Sequence, residues 1–223
     1  MTPKSNKIAV YFVPGMAANS KIFENIKLPI TQYECFYLEW KIPIDNESLQ
    51  SYAKRMCAEI KHENPILIGV SFGGIVVQEM NRFIKVHKTV VISSVLHQNE
   101  FPLRMKFAKR TKIYKLLPSS LLSDVEKMAK YAFGETIKSR VKLYEKYLSM
   151  SDGNYLKWAI QEIVNWEQNQ HLKNIIHIHG SDDKIFPKQN IKHHFVEVNK
   201  GTHVMIVYKY KWFNENLPKL LTA

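Results

Sequence analysis

The chain has 223 residues, of which 45% are apolar, and it carries a formal net charge of +12. Its length fits a single domain with an insertion, and its apolar content is sufficient for a buried core. No apolar run reaches the roughly 18 residues of a membrane-spanning helix, and no signal peptide precedes the first strand, so we expect a cytoplasmic protein without stable membrane insertion.

The charge pattern and the cysteines argue against two further classes. The 32 basic residues are spread along the chain among 20 acidic ones, and no nucleic-acid-binding motif accompanies them. We therefore interpret them as a lysine-rich surface, with no nucleic acid as partner. Cys35 and Cys57 have no ligand-like spacing, so neither a disulfide framework nor a metal site is expected.

The first predicted strand covers residues 8–13 and runs into a loop of small residues at 14–18. Such a loop can direct backbone N–H groups inward, as the binding of an oxyanion requires. Residues 33–40 are predicted as the next strand. A helix follows whose apolar residues recur at helical spacing, and they include Leu49, Tyr52, Ala53, Met56, Cys57 and Ile60.

The most informative stretch is residues 65–77, an apolar strand pattern followed at once by an apolar helix pattern. Between them lies Gly-x-Ser-x-Gly, with its serine at Ser71 and its glycines at Gly69 and Gly73. This is the pattern of a nucleophile elbow, a tight turn that presents a serine hydroxyl at the end of a sheet. The alternative is a glycine-rich turn whose serine only caps the helix.

A parallel sheet is indicated by the alternation of strands and helices. After the helix that follows Ser71, predicted at about residues 72–85, residues 88–94 form another strand rich in β-branched side chains. Strands that are nearly continuous in apolar residues are buried on both faces. The active site of such a sheet lies at the carboxyl ends of its strands, where Ser71 is expected.

Strand signals cease between residues 97 and 170, and helical signals replace them. We interpret this segment as a helical cap inserted into a core formed by residues 1–96 and 171–223. Gly134 and Gly153 are predicted helix ends.

Two features of the insertion indicate helices, and the second of them bears on a substrate pocket. Residues 123–126 have the spacing of a capping box, which marks the start of a helix. The last inserted helix is apolar on two sides, so one side can roof a pocket. One side is a stripe of Leu156, Ala159, Ile160, Ile163 and Val164, and the other consists of Tyr155, Trp158 and Trp166. We name Trp158 on that helix and His97 at the start of the insertion as candidate pocket residues.

The first inserted helix is strongly basic. This face suits an anionic lipid surface or an acidic carrier protein as partner, but a solvated face is the interpretation we favour. Its basic residues are Arg104, Lys106, Lys109, Arg110, Lys112 and Lys115.

The last third of the chain returns to strands, at residues 174–180 and 194–198, before a closing helix at 204–217. Asp183 follows the first of these strands, and His203 follows the second. A serine hydroxyl becomes a strong nucleophile when a base takes its proton and a third group holds that base. The order Ser, Asp, His supplies these three groups.

Four groups of residues together resemble the motifs of the α/β-hydrolases, in particular small serine esterases with a helical cap. The resemblance covers nearly all of the chain outside the insertion. It implies an α/β fold with a mostly parallel sheet of about six strands, flanked by helices. The chain departs from the family between Pro187 and His194, where the link is too short for the usual helix and a turn is expected. The motifs are Pro14-Gly15-Met16, Gly69-Val70-Ser71-Phe72-Gly73, His179-Gly180-Ser181-Asp182-Asp183 with Pro187, and Gly201-Thr202-His203.

The resemblance also implies the catalytic roles. Ser71 is the nucleophile, His203 the general base, and Asp183 the acid that orients it, because the pattern His-Gly-x-x-Asp-x-x-x-Pro falls on Asp183. Asp182 is the alternative acid, and is otherwise a turn residue that bonds its own backbone.

By the same resemblance, the backbone N–H groups of Met16 and Phe72 are the oxyanion donors, although Pro14 stands where many members have histidine. The implied reaction is acyl transfer from a small ester or thioester to water, with no cofactor. Serine-dependent C–C hydrolysis, cofactor-free peroxidase or lyase chemistry, and non-catalytic ligand binding stay open. A serine at the elbow argues against epoxide hydrolase chemistry, which in related proteins uses an aspartate.

Four other histidines are given structural roles. We interpret His177 and His179 as core residues of a strand. His193 and His194, for which the sequence shows no partner carboxylate, are expected at the surface or at a strand edge.

Overall fold

The computed structural model describes residues 7–116, 146–168 and 172–222. The predicted capping box at 123–126 and the predicted helix end at Gly134 lie outside these ranges. In the described part of the chain, no helix is both long enough and apolar enough to cross a membrane.

Six strands form one sheet in which every neighbouring pair is parallel. This confirms the predicted α/β architecture. Their order in the sheet is β2-β1-β3-β4-β5-β6. The strands are β1 (Ile8–Val13), β2 (Tyr33–Tyr37), β3 (Ile66–Val70), β4 (Lys88–Ile92), β5 (Ile175–Gly180) and β6 (Val196–Val198).

Helices flank the sheet on both faces. The six α-helices of the described residues are α1 (Leu49–Cys57), α2 (Phe72–Met80), α3 (Leu103–Thr111), α4 (Gly153–Asn165), α5 (Met205–Tyr208) and α6 (Tyr210–Thr222). The link between Pro187 and His194 contains a single 3₁₀ turn, Lys188–Asn190, as predicted.

Burial on both faces explains the apolar strands. Every residue of β3 is buried, as are four of the five in β4. Because successive side chains point to opposite faces, Tyr11 and Leu67 pack with α1, α2 and α4. Phe12 and Ile68 pack with α5 and α6 on the other face.

The strand order places the site. The chain leaves β1 for β2 on one side and returns to β3 on the other, so the connections diverge between β1 and β3. Ligands of open α/β sheets bind at such a switch point, beyond the carboxyl ends of the strands. The loop at residues 14–18, which we call the oxyanion loop, and Ser71 follow these two strands.

Two predicted helix boundaries were wrong. Gly153 begins α4 instead of ending a helix, because the neighbouring Asp152 side chain caps the new helix by accepting a hydrogen bond from the Tyr155 amide at 2.8 Å. The predicted closing helix is divided at Lys209 into α5 and α6.

Candidate active site

Ser71 has a strained backbone. It lies between β3 and α2 with φ 52° and ψ −117°, a conformation that non-glycine residues rarely adopt. Two bonds hold it there: its amide donates to the Ile92 carbonyl at 2.9 Å, and its carbonyl accepts from the Ser94 hydroxyl at 2.7 Å. The turn therefore presents the Ser71 side chain beyond the end of the sheet, as predicted for a nucleophile elbow.

The two glycines of the motif allow close backbone contacts. A β-carbon at Gly69 would lie 2.2 Å from the Gly73 carbonyl oxygen, and one at Gly73 would lie 2.3 Å from the Pro14 carbonyl oxygen. Real β-carbons do not approach backbone atoms so closely. Gly69 thus allows the end of β3 to lie directly against the first turn of α2, and Gly73 allows that turn to lie against the start of the oxyanion loop.

Three side chains form a continuous hydrogen-bonded series. His203 Nε2 lies 2.9 Å from Ser71 Oγ. On the other side of the ring, His203 Nδ1 lies 2.9 Å from Asp183 Oδ2 and 3.2 Å from Asp183 Oδ1. These distances are those at which a base takes a proton from a serine hydroxyl while a carboxylate orients it.

The surroundings of Asp183 favour its ionised form. Its side chain is fully buried, and Oδ1 accepts hydrogen bonds from the amides of Ile185 and Phe186 at 2.8 and 2.9 Å. Burial alone would raise the pKa of Asp183, but the charge and hydrogen bond of His203, with smaller effects of His179 and the Phe186 amide, hold the pKa below its ordinary value.

Asp182, the alternative acid, has a different position. It is exposed, its amide donates to the Gly201 carbonyl at 2.9 Å, and its carboxylate accepts from the Ser181 hydroxyl at 2.8 Å. The structure therefore brings Asp183, and not Asp182, to the His203 ring.

The oxyanion loop is fixed by a side-chain hydrogen bond and contains an unusual backbone conformation. Trp40 Nε1 donates to the Gly15 carbonyl at 2.9 Å, and Ala17 adopts a positive φ of 65°. The Met16 amide makes no hydrogen bond among the described residues. The Phe72 amide lies in the first turn of α2, where amides have no acceptor within the helix. Both amides are thus available to an oxyanion.

A cavity of about 130 Å³ adjoins the hydroxyl of Ser71. Apart from Ser71 and His203, the side chains that line it are almost all apolar. They come from the oxyanion loop, the insertion, the turn after β5 and the segment of α5, and they include Met16, Met105, Phe186 and Val207. The site can therefore hold a small apolar group beside a hydroxyl and an imidazole.

Solved structures share this arrangement of strands and helices. An esterase from Exiguobacterium antarcticum is 14% identical, with a TM-score of 0.72 over 98% of this chain and 93% of that chain. A structure from work on carboxylesterases of Nitrososphaera gargenis is 13% identical, with a TM-score of 0.72 over 98% and 91%. The chain has the α/β-hydrolase fold.

Members of the α/β-hydrolase fold differ in chemistry. A structure from work on epoxide hydrolases of hot-environment metagenomes also matches, at 8% identity and a TM-score of 0.68 over 98% of this chain and 92% of that one. No family model and no curated protein sequence matches the chain. Function must therefore be inferred from the residues of the site.

The two candidate pocket residues of this α/β-hydrolase fold do not line the cavity. His97 instead caps a 3₁₀ turn, where Nδ1 accepts from the Asn99 amide at 3.2 Å. The Trp158 ring packs against Tyr52 at 4.5 Å between centroids, and its Nε1 donates to the Glu47 carbonyl at 2.7 Å. A local turn thus holds the His97 side chain away from this cavity, and packing against distant residues holds that of Trp158 away from it.

The insertion reaches the cavity through other residues, namely Met105 of α3, Ile163 of α4, and Tyr147 and Leu148. Leu148 also forms an isolated antiparallel bridge with Ala18, the last residue of the oxyanion loop. No motif marks these residues in the sequence. Ile163 belongs to the predicted apolar stripe of its helix, which is the only sequence signal that points to any of them.

Proposed function

We propose that this protein is a serine hydrolase that cleaves carboxylic esters with a small, largely apolar acyl group. The observation that carries the proposal is the hydrogen-bonded series Ser71–His203–Asp183, which opens into the apolar cavity. The esterases among the structural neighbours support the same chemistry.

In the proposed mechanism, Ser71 Oγ attacks the ester carbonyl carbon while His203 Nε2 takes the hydroxyl proton. Asp183 stabilises the imidazolium that forms. The amides of Met16 and Phe72 bind the oxyanion of the tetrahedral intermediate, and loss of one such donor typically costs about 10²–10³ in rate. Collapse of the intermediate breaks the ester C–O bond, and the departing alcohol takes the proton from His203.

The second half of the reaction uses the same groups. Water attacks the acyl-enzyme carbonyl while His203 Nε2 accepts a proton from it, and a second tetrahedral intermediate forms. Its collapse breaks the bond to Ser71 Oγ, which takes the proton back from His203 and releases the carboxylic acid. Each proton taken by His203 is returned, so the enzyme ends as it began.

Thioester cleavage and C–C hydrolysis need the same nucleophile and base, and peroxidase or lyase activity occurs on related sites. Ester hydrolysis is favoured here because, among the described residues, the cavity is lined by no charged group besides the triad. Non-catalytic binding is disfavoured by the strain at Ser71, since strained residues persist mainly where function requires them.

A fluorophosphonate probe tests the activated serine. We expect stoichiometric labelling of the wild-type protein, mapped to Ser71 by mass spectrometry of the digested protein, because the probe reacts with hydroxyls that a base has activated. His203→Ala should abolish labelling, whereas His194→Ala, which replaces an exposed histidine outside the triad, should not. A folded wild-type protein that is not labelled would contradict the proposal.

A series of p-nitrophenyl esters tests the size of the acyl site. The cavity of about 130 Å³ is similar to the roughly 150 Å³ of an apolar cavity that accepts benzene. We therefore expect kcat/KM to be highest for acyl chains of about two to six carbons and to fall for longer ones.

Shortening a side chain that lines the cavity should shift this preference. Met105→Ala is expected to move the optimum to longer chains, while Leu103→Ala, an exposed position on the same helix α3, should leave it unchanged. An optimum at eight or more carbons in the wild type, or the same profile in both variants, would contradict the assigned acyl site.

A further inference from the structure

Three imidazole rings form a row behind the proposed active site. His193 Nε2 lies 2.8 Å from His177 Nδ1, and His177 Nε2 lies 3.1 Å from His179 Nδ1. His177 and His179 are buried, whereas the His193 side chain is 31% exposed. The described residues contain no group of three or more side chains arranged to hold a metal ion, so these contacts are hydrogen bonds.

The row ends at two different elements. At one end, His179 Nε2 lies 2.8 Å from the Phe186 carbonyl oxygen and 3.6 Å from Asp183 Oδ2. At the other end, His193 Nδ1 lies 2.8 Å from Glu100 Oε1. Glu100 is buried at the start of the predicted insertion, and its second oxygen accepts from the Leu96 amide at 2.8 Å. We call Glu100–His193–His177–His179 the imidazole chain.

Hydrogen-bond chemistry fixes the direction of the imidazole chain. A carbonyl oxygen only accepts, so His179 Nε2 carries a proton. If His179 is neutral, its Nδ1 must accept from His177 Nε2–H. By the same step, a neutral His177 accepts at Nδ1 from His193 Nε2–H. The N–H groups between the rings, and that of His179 Nε2, therefore all point toward the end of the chain at Asp183 and Phe186.

Burial supports the neutral state of the two inner rings. Burial, and then the neighbouring His179 and His193, hold the pKa of His177 well below its ordinary value, although a contact with the Ser94 backbone opposes this. Burial also lowers the pKa of His179, and only in part is this offset by Asp183 and the Phe186 carbonyl. A proton on either ring would be desolvated.

The outer end of the chain must hold one further proton. His193 already donates from Nε2, and a neutral ring would then turn the lone pair of Nδ1 toward an acceptor oxygen of Glu100. The 2.8 Å contact requires a proton between these two atoms, either as imidazolium and carboxylate or as two neutral groups. Removal of that proton leaves two acceptors facing each other.

We propose that the proton shared between Glu100 and His193 clamps the start of the insertion to the turn carrying Asp183, which makes the members of the imidazole chain positioning residues for His203. This inference rests on the proposed function for its catalytic consequence, but not for the proton itself.

The consequence is a dependence of catalysis on the outer end of the imidazole chain. We expect loss of the hydrogen bond between Glu100 and His193 to loosen the turn at Asp183. A displacement of the acid of about 1 Å lowers the rate by as much as about 10²-fold.

Imidazole ¹⁵N–¹H spectra of wild-type protein test the proton directly, and they need no substrate. We expect His177 and His179 to be neutral with Nε2–H, and His193 to carry a proton on Nε2 that it donates to His177. A bare Nε2 on His193, or Nδ1–H on His177, would overturn the proposal.

Glu100→Ala and Glu100→Gln together test the positioning role. A glutamine can keep its oxygen on the Leu96 amide and donate its NH₂ to a neutral His193, so the chain persists. We therefore expect Glu100→Gln to be labelled by the fluorophosphonate at a rate within about twofold of wild type. Glu100→Ala, which breaks the chain at its outer end, should lower the rate by up to about 10²-fold.

His194→Gln is the matched control, since His194 neighbours His193 in sequence and is exposed. It should keep the wild-type rate of labelling. Equal rates in Glu100→Ala and wild type, or equally low rates in Glu100→Ala and Glu100→Gln, would overturn the proposal. If the protein is not labelled at all but the spectra show the expected protons, the proposed hydrolase function fails while the shared proton stands.

Discussion

Replacement of Ser71 by alanine is expected to lower kcat for p-nitrophenyl acetate by roughly 10⁶-fold, and His203→Ala should have an effect of the same size. The reason is that the nucleophile and its base act as one unit, joined by the 2.9 Å contact between Ser71 Oγ and His203 Nε2. A base without a nucleophile, or a hydroxyl without a base, contributes almost nothing.

This unit can be tested by combining the substitutions. The double variant Ser71→Ala/His203→Ala should be no slower than either single variant, because the second change removes a group that has already lost its role. Initial rates at saturating ester, with unfolding temperatures measured alongside, give the comparison, and His194→Ala serves as the surface control. Losses that multiply in the double variant would show that the two residues act independently.

The parts of the site that follow from local sequence were predictable. Gly69, Ser71 and Gly73 form a turn whose sterics involve residues near one another in the chain, so the letters alone indicate its shape. The alternation of apolar strands and helices likewise predicted a parallel sheet with its active edge beside Ser71. The resemblance of residues 179–187 to the α/β-hydrolase motif His-Gly-x-x-Asp-x-x-x-Pro indicated which of two adjacent aspartates turns inward.

What long-range packing decides was not predictable. Trp158 was expected at the pocket because it lies on an apolar helix face, but the Glu47 carbonyl and Tyr52 ring take its side chain elsewhere. The pairing of Glu100 with His193 joins residues 93 positions apart that no sequence spacing connects. The sequence therefore showed no partner carboxylate for His193, whereas the structure places the Glu100 carboxylate 2.8 Å from its Nδ1.

Asp183→Asn is expected to lower kcat/KM by about 10⁴-fold with little change in the fold of the site. An amide has the size of the carboxylate but can donate a hydrogen bond to His203 Nδ1. That bond would favour the tautomer with its proton on Nε2, which cannot accept the Ser71 proton. Asp182→Asn is the matched control, because Asp182 is exposed and does not contact His203, and its rate should stay within about threefold of wild type.

The same pair of variants separates charge from shape through the pH dependence of stability. The pKa of Asp183 is lower in the folded protein than its ordinary value of about 3.9. Its ionised form therefore stabilises the fold above that ordinary value, and the contribution is lost as the pH falls through the lower, folded-state pKa. Urea unfolding between pH 2 and 7 should show a shallower acid decrease in Asp183→Asn than in wild type or Asp182→Asn, as an order-of-magnitude window about the carboxyl range. A large loss of activity in Asp182→Asn with a small one in Asp183→Asn would reverse the assignment of the acid.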